Sequence, residues 1–298
     1  MSEIDYIPDY YANVNLSHGS SSQSNLPNDV WLHNYIYKNA EWRQNRIINP
    51  HAYAGTAVQD GVNYYIFNSG NDDVPVKAAI KLALKNFKKS KIFFTSASYK
   101  ELWEMDLELI PQCVENALSG LTEMEFFKHS TTERTTEDYC YYTLPGIEIT
   151  TIGRTDLLTD KFAVELKTKW KSRAKGENKD GSAKWRRNSI PSNPSIEHLR
   201  QCAFYYKATK REVFLVYAAG FDDKSYKVFS KDNCEKLRPE FLEHYLDQMQ
   251  MIQKVRQNLL QISSNPKTLA KYIPPDFTHY MWRDLTEEEL EEARNLWR

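Results

Sequence analysis

Residues 75–89, PVKAAIKLALKNFKK, place apolar side chains at helical spacing with lysines on the other side, the pattern of an amphipathic helix. Helix is also expected over about Asn28–Trp42, over AGTAVQDGVNYYIF, whose glycines and small residues suit a close neighbour, and over YKELWEMDLELIPQCVENALSGL, interrupted at Pro111. The period then changes. MEFFKHSTT, DYCYYTLPGIEITTIGRTDLL, FAVELKTKW and REVFLVYAAG are rich in β-branched and aromatic residues, which predicts a central sheet of four to five strands. Between the last two lies NPSIEHLRQCAFYYKAT, helical, with Asn193 as N-cap and Pro194 in the first position. A long helix from about Arg238 to Leu260 shows a stripe of Phe241, Tyr245, Met249, Ile252, Val255 and Leu259 that reads as core. Thr286 and Glu289 have capping-box spacing before a final acidic helix.

This order of elements predicts an α/β protein with a mixed central sheet flanked by helices, extended by N- and C-terminal helical elements. The chain has 298 residues and no Ser/Gly- or Pro-rich linker in its middle, so one elaborated domain is expected over 29–298, preceded by a loose polar arm, 1–28. Its core is placed at about 55–220 and a C-terminal helical extension at 236–298. No apolar run approaches the roughly 20 residues that span a bilayer, and the acidic, aromatic N-terminus is unlike a secretory signal. A cytoplasmic location without membrane contact follows as the expectation. Cys113, Cys140, Cys202 and Cys234 form no C-x-x-C pair, which argues against a zinc site or a disulfide framework.

A net charge of −1 excludes a uniformly basic nucleic-acid coat but leaves local patches open. Lys167 to Arg187, KTKWKSRAKGENKDGSAKWRR, holds nine Lys or Arg against Glu177 and Asp180. Lys169, Trp170, Lys171, Arg173, Lys175, Lys184, Trp185, Arg186 and Arg187 are therefore candidates for tracking phosphates and stacking on unpaired bases. A solvated surface loop is the plainer account of the same run. Just before it, the period of two in FAVELK puts Ala163, Glu165 and Lys167 on one face and Phe162, Val164 and Leu166 on the other. The short LLTDKF connection folds the preceding strand back, so Asp156 approaches Glu165. Two adjacent carboxylates repel unless one is neutral or a cation joins them, and oxygen-rich coordination suits Mg²⁺ or Mn²⁺. Lys167 then stands where it can orient an attacking water or stabilise developing charge, and the Leu166 carbonyl is a further ligand candidate. An Asp–Lys–Glu surface network is the alternative.

Asp156 at a strand end, followed by Glu165-Leu166-Lys167 in the next strand, resembles the PD-(D/E)XK nuclease superfamily, in its RecB-like and phage-type exonuclease branch. Gly153 before the Asp, and Gln201 and Tyr205 four residues apart on the following helix, are similar to that branch. Helical spacing places His198, Gln201 and Tyr205 on one face. GTAVQDGV resembles the family's Gly-Thr-x-x-His helix, with Gln59 where many members carry a metal-ligating His. The likeness spans about Gly55 to Gly220. It implies a Mg²⁺- or Mn²⁺-dependent deoxyribonuclease, without an iron–sulfur cluster, acting on DNA in recombination, repair or processing in a phage or bacterial setting. Asp156 and Glu165 would bind metal, Lys167 would assist the water, and Gln201, Tyr205 and His198 would orient the site or touch DNA. An exonuclease is implied, and with it a recombination or single-strand-binding partner; an endonuclease of the same superfamily or a DNA-binding protein that does not cut are the alternatives.

Overall fold

The computed structural model describes residues 19–20, 23–39, 41–42, 49–68, 75–90, 97–124, 135–282 and 285–298. The helices are α1 (Asn28–Trp31, continued as a π-helical turn over Leu32–Tyr37), α2 (Pro50–Asn68), α3 (Val76–Lys89), α4 (Ala97–Glu123), α5 (Ile196–Thr209), α6 (Pro239–Ile262), α7 (Pro266–Ala270) and α8 (Glu287–Leu296). The strands are β1 (Gly19–Ser20), β2 (Thr135–Tyr142), β3 (Thr151–Leu158), β4 (Phe162–Lys169), β5 (Lys171–Glu177), β6 (Ala183–Arg187), β7 (Glu212–Ala219) and β8 (Tyr226–Phe229).

Six of these strands form one mixed sheet, in which β3 pairs antiparallel with β2 and β4 and parallel with β1, and β7 lies parallel to β4 and antiparallel to β8. β7 lies between β4 and the edge strand β8. Covered on both faces, its sequence EVFLVYAA has no need to alternate. Phe162, Val164, Leu166, Val216 and Ala218 pack towards α2, α3 and α4. Ala163, Leu215, Tyr217 and Phe229 pack towards α5 and α6. The mixed, helix-flanked α/β architecture is the one the sequence predicts. The six-stranded sheet is larger than expected, and MEFFKHSTT, apart from Met124, lies outside the described residues.

Several boundaries differ. The helix over 97–123 runs through Pro111 without interruption. Ile110 and Val114, both fully buried, anchor it on either side, and this packing offsets the hydrogen bond that proline removes. α5 starts at Ile196 with Ser195 as N-cap, two residues after the expected Asn193–Pro194 start, and Pro194 is buried instead. The first helix ends at Tyr37 rather than Trp42, with Lys38 extended. Part of the expected loose arm is fixed. Ser24 is buried against Gln253, and Arg256 donates to the Leu26 carbonyl and to Asn28. On α6 the buried face carries Leu242, Leu246, Met249, Arg256, Gln257 and Leu260, whereas Val255 of the predicted stripe is exposed. The capping box of α8 forms as predicted, through Thr286 and Glu289.

Two close approaches set the layers. α2 turns one face to the hairpin: His51 stacks on Trp170, Gly55 lies against Thr168, and Gln59 reaches Asp156. On the opposite helical layer, Gly153 lets Phe204 and Tyr205 lie directly on β3, because a Cβ there would stand 2.6 Å from the Phe204 ring and 2.8 Å from that of Tyr205. Gly153→Ala is expected to push α5 off β3 and cost about 1–3 kcal/mol. Thermal denaturation reads this directly, and an unchanged melting temperature would refute the close-contact account.

Candidate functional site

β3 and β4 are joined by a tight turn in which the buried Thr159 hydroxyl accepts from the Lys161 and Phe162 amides. Their pairing covers only Leu157↔Val164 and Leu158↔Ala163, while β4 continues beside β7 for eight residues. Beyond that short ladder a side chain replaces the backbone partner: the Asp156 carboxylate accepts the Leu166 N–H at 2.6 Å. A residue's N–H and C=O face the same edge of a strand, so the Leu166 carbonyl is turned towards β3 as well. The β3 backbone is held from both sides. Gln59 Nε2 donates to the Asp156 carbonyl at 3.1 Å and to Asn63 at 3.0 Å, and the Tyr205 hydroxyl donates to the Arg154 carbonyl at 2.8 Å.

Glu165 and Lys167 project from the same face of β4, as the alternation predicts. Glu165 is 2% exposed; its Oε1 pairs with the Lys167 ammonium, and its Oε2 is buried without a hydrogen-bond partner. The Tyr205 hydroxyl stands beside Glu165 but has one proton to give, and it is aimed at the Arg154 carbonyl. Burial, then the charge of Glu165, pushes the Asp156 carboxyl up to about 8, against the pull of Lys167 and the Leu166 amide. For Lys167 burial acts to lower the pKa, but Glu165 and Asp156 outweigh it and the net shift is upward. The group is an ammonium. Burial, then the same two carboxylates, raises the Tyr205 phenol well above its ordinary value.

The structure thus brings Asp156, Glu165, Lys167, Tyr205 and Gln59 together. Gln59, at the position where the resemblance puts a metal-ligating His, spends its amide nitrogen on the Asp156 carbonyl and on Asn63, so it positions β3 and has only its Oε1 to offer a metal. Gln201 lies one turn before Tyr205, half-buried and without a hydrogen bond among the described residues. His198 meets Tyr217 through Nδ1 at 2.5 Å, and burial, then Lys167 and Lys169, lowers its pKa to about 3. A neutral imidazole offers a phosphate no charge, only a hydrogen bond. Tyr217, opposite Lys167 in the β4–β7 register and beneath the Lys169 ammonium, escaped the sequence reading. Its one signal is a hydroxyl inside the apolar run FLVYAA.

The basic run is a two-stranded hairpin, β5–β6, rather than a loop. Trp170 is 5% exposed, with its indole N–H on Thr168, so the core and not a ligand takes this ring. Trp185 donates to Glu101, and Arg187 makes a two-pronged contact with Asp222, anchoring the hairpin to α4 and to the β7–β8 turn. Arg186 donates to Ser172. Arg173, Lys175 and Lys184 are exposed and without ion pairs among the described residues; Lys169 and Lys171 are half-buried.

Two carboxylates, one of them with an unsatisfied buried oxygen, and a strand carbonyl facing the same gap are hard donors of the kind that suit Mg²⁺ or Mn²⁺. Among the described residues no three His, Cys, Asp or Glu side chains cluster as a metal-holding group. A cation would rely on Asp156, Glu165, the Leu166 carbonyl and water. The four cysteines are unpaired and buried. No helix among the described residues is long and apolar enough to cross a membrane. Neither a family model nor a curated protein matches the chain. Among solved structures, "Crystal structure of SSO0001" aligns with 17% identity and a TM-score of 0.27, covering 63% of this chain and 79% of that one, too low a score to carry an argument.

The folded chain binds the Asp156 proton more tightly than the unfolded chain, where an aspartate titrates near 3.9. This contribution to stability is therefore complete at about pH 4 and below, and is lost as pH rises through about 8. Asp156→Asn, which keeps an acceptor for Leu166, is expected to melt above wild type at the alkaline end without divalent metal, with the gap closing as the solution is acidified. Parallel stability curves for the two proteins would show that no buried-charge cost resides at Asp156.

Proposed function

We propose that this protein is a metal-dependent deoxyribonuclease with a PD-(D/E)XK core, acting as an exonuclease that hydrolyses phosphodiester bonds. The observation that carries the reading is the parting of β3 from β4, which gathers Asp156, the unsatisfied Glu165 oxygen, Lys167 and the Leu166 carbonyl around one gap. A surface ion-pair network would not need a glutamate at 2% exposure. Preference for an exonuclease comes from the sequence resemblance alone.

Asp156, Glu165 and the Leu166 carbonyl would hold a divalent cation, which supplies charge neutralisation at the phosphate and a more acidic water. Lys167 enters the reaction as an ammonium. It stands in position to orient the water and to stabilise the negative charge that develops on the phosphoryl oxygens. Gln59 and Tyr205 hold the β3 backbone on which Asp156 rides. Arg173, Lys175 and Lys184, free of ion pairs among the described residues, offer positive charge to the phosphate backbone.

Digestion of end-labelled linear DNA, single- and double-stranded, tests the reading with wild type and Lys167→Ala in Mg²⁺, in Mn²⁺ and in EDTA. Release of nucleotides from an end is expected with either metal and not in EDTA, and the alanine variant is expected to slow by about 10²-fold or more. Intact DNA in every metal lane would sink hydrolysis, and retained binding would leave a DNA-binding protein that does not cut. Cleavage of covalently closed circles would favour an endonuclease.

A further inference from the structure

A second charged cluster stands apart from the gap between β3 and β4. Asp106 of α4 is fully buried, and its Oδ2 meets His51 Nδ1 at 2.7 Å. Its other oxygen, Oδ1, is buried without a partner. The His51 ring lies nearly parallel to that of Trp170, with centroids 6.2 Å apart and planes within 9°. Asn49 caps the start of α2 by accepting the His51 amide. The imidazole is thus fixed at its backbone, along its face and at one nitrogen. Nε2 remains, on a side chain 22% exposed, with no partner among the described residues.

Burying a carboxylate with a single hydrogen bond costs several kcal/mol unless the partner shares its charge. The pair with His51 is the contact that offsets that cost, and it leaves the ring's other nitrogen, Nε2, for a ligand. Burial holds the Asp106 carboxyl above its ordinary value, against the pull of His51 and, last, of Lys171. In the β5–β6 register Lys171 pairs with Arg187 and Arg173 with Trp185, so these four side chains share one face of the hairpin. Through Trp185 to Glu101 that face looks back towards α4, the helix that carries Asp106. The dyad is therefore at the root of the basic hairpin. It is also on the α2 face that delivers Gln59 to Asp156, two turns and about 12 Å further along the helix.

We propose that His51 and Lys171 form a second contact for a phosphodiester backbone, set back from the Asp156–Glu165 gap, with Asp106 as the positioning residue that fixes the imidazole. The inference rests on the nucleic-acid reading of the neighbouring site and gives it a second point of grip. A strand lying from the gap towards the hairpin passes His51 before it meets Arg173 and Lys175. A phosphodiester oxyanion suits the Lys171 ammonium, and its oxygens can accept from an imidazole N–H.

The test measures binding of a short fluorescent single-stranded oligonucleotide in EDTA across a series of salt concentrations, using wild type, His51→Ala, His51→Gln, Lys171→Ala and Asp106→Asn. Either His51 variant is expected to weaken binding by about ten-fold. Lys171→Ala, on an outlying strand, should reduce the slope of log affinity against log salt by about one and remains informative if the His51 variants do not fold. Asp106→Asn should weaken affinity less than His51→Ala. Unchanged affinity and slope in the folded variants, or no binding by wild type, overturns the proposal. The same oligonucleotide bearing a 5′-phosphate forms a second arm. Equal dependence on His51 in both arms supports an internal phosphodiester, whereas dependence confined to the phosphorylated one overturns that assignment. Wild-type protein that binds through His51 yet releases no nucleotide in Mg²⁺ or Mn²⁺ would keep this contact and remove the hydrolytic reading.

Discussion

The bond from the Leu166 amide to the Asp156 carboxylate is the constraint on which the site depends. Two strands that part after two ladder pairs leave backbone groups without partners, and buried backbone groups must find them. Asp156 supplies a substitute for the Leu166 amide with its side chain, while Gln59 from α2 and Tyr205 from α5 hold the β3 backbone at the Asp156 and Arg154 carbonyls. The opening is therefore held by three polar contacts drawn from β3 and from the helical layers on both faces of the sheet. Gly153 belongs to the same solution, since only a residue without a side chain lets the Tyr205 ring lie close enough to reach Arg154.

The arrangement is costly for the folded chain. Glu165 is buried with one oxygen unsatisfied, Asp156 is driven towards its neutral form, and one ammonium is shared between them. Three apolar residues of similar size would pack with less penalty, as buried ion pairs generally show. A fold that retains such a group places it where neighbouring backbone and side chains over-determine its geometry, and here those neighbours are Leu166, Gln59 and Tyr205. The charge balance also decides what Lys167 can do. While both carboxylates act on it alone it stays protonated, so it serves as a positive charge and donor rather than as a base.

Much of this was legible in the chain, and the exceptions share a cause. Alternation along β4 assigned Glu165 and Lys167 to one face because Phe162, Val164 and Leu166 need the other. Spacing of three identified Thr286 and Glu289 as a cap because the reciprocal bonds require that interval. Hydrophobic pattern misplaced the buried face of α6, where Arg256 and Gln257 are buried and bonded to Leu26, Asn28 and Glu148 while Val255 is exposed. Trp170 was assigned to a ligand surface by its basic neighbours, yet it packs inwards on His51 and Thr168. In each of these misreadings a long-range contact overrode the local character of the residue, and Asp106 paired with His51 across 55 positions carries no local signal at all.

Charge on the β5–β6 hairpin is divided by use. Arg187 is spent on Asp222, and Trp185 on Glu101, so the hairpin is tied to the body at its two flanks. Arg173, Lys175 and Lys184 extend from it with no acidic partner among the described residues. The anchoring contacts matter as much as the free ones. A hairpin of two strands is marginal by itself, and its tethers to α4 and to the β7–β8 turn give the free cations a fixed place relative to Glu165 and Lys167.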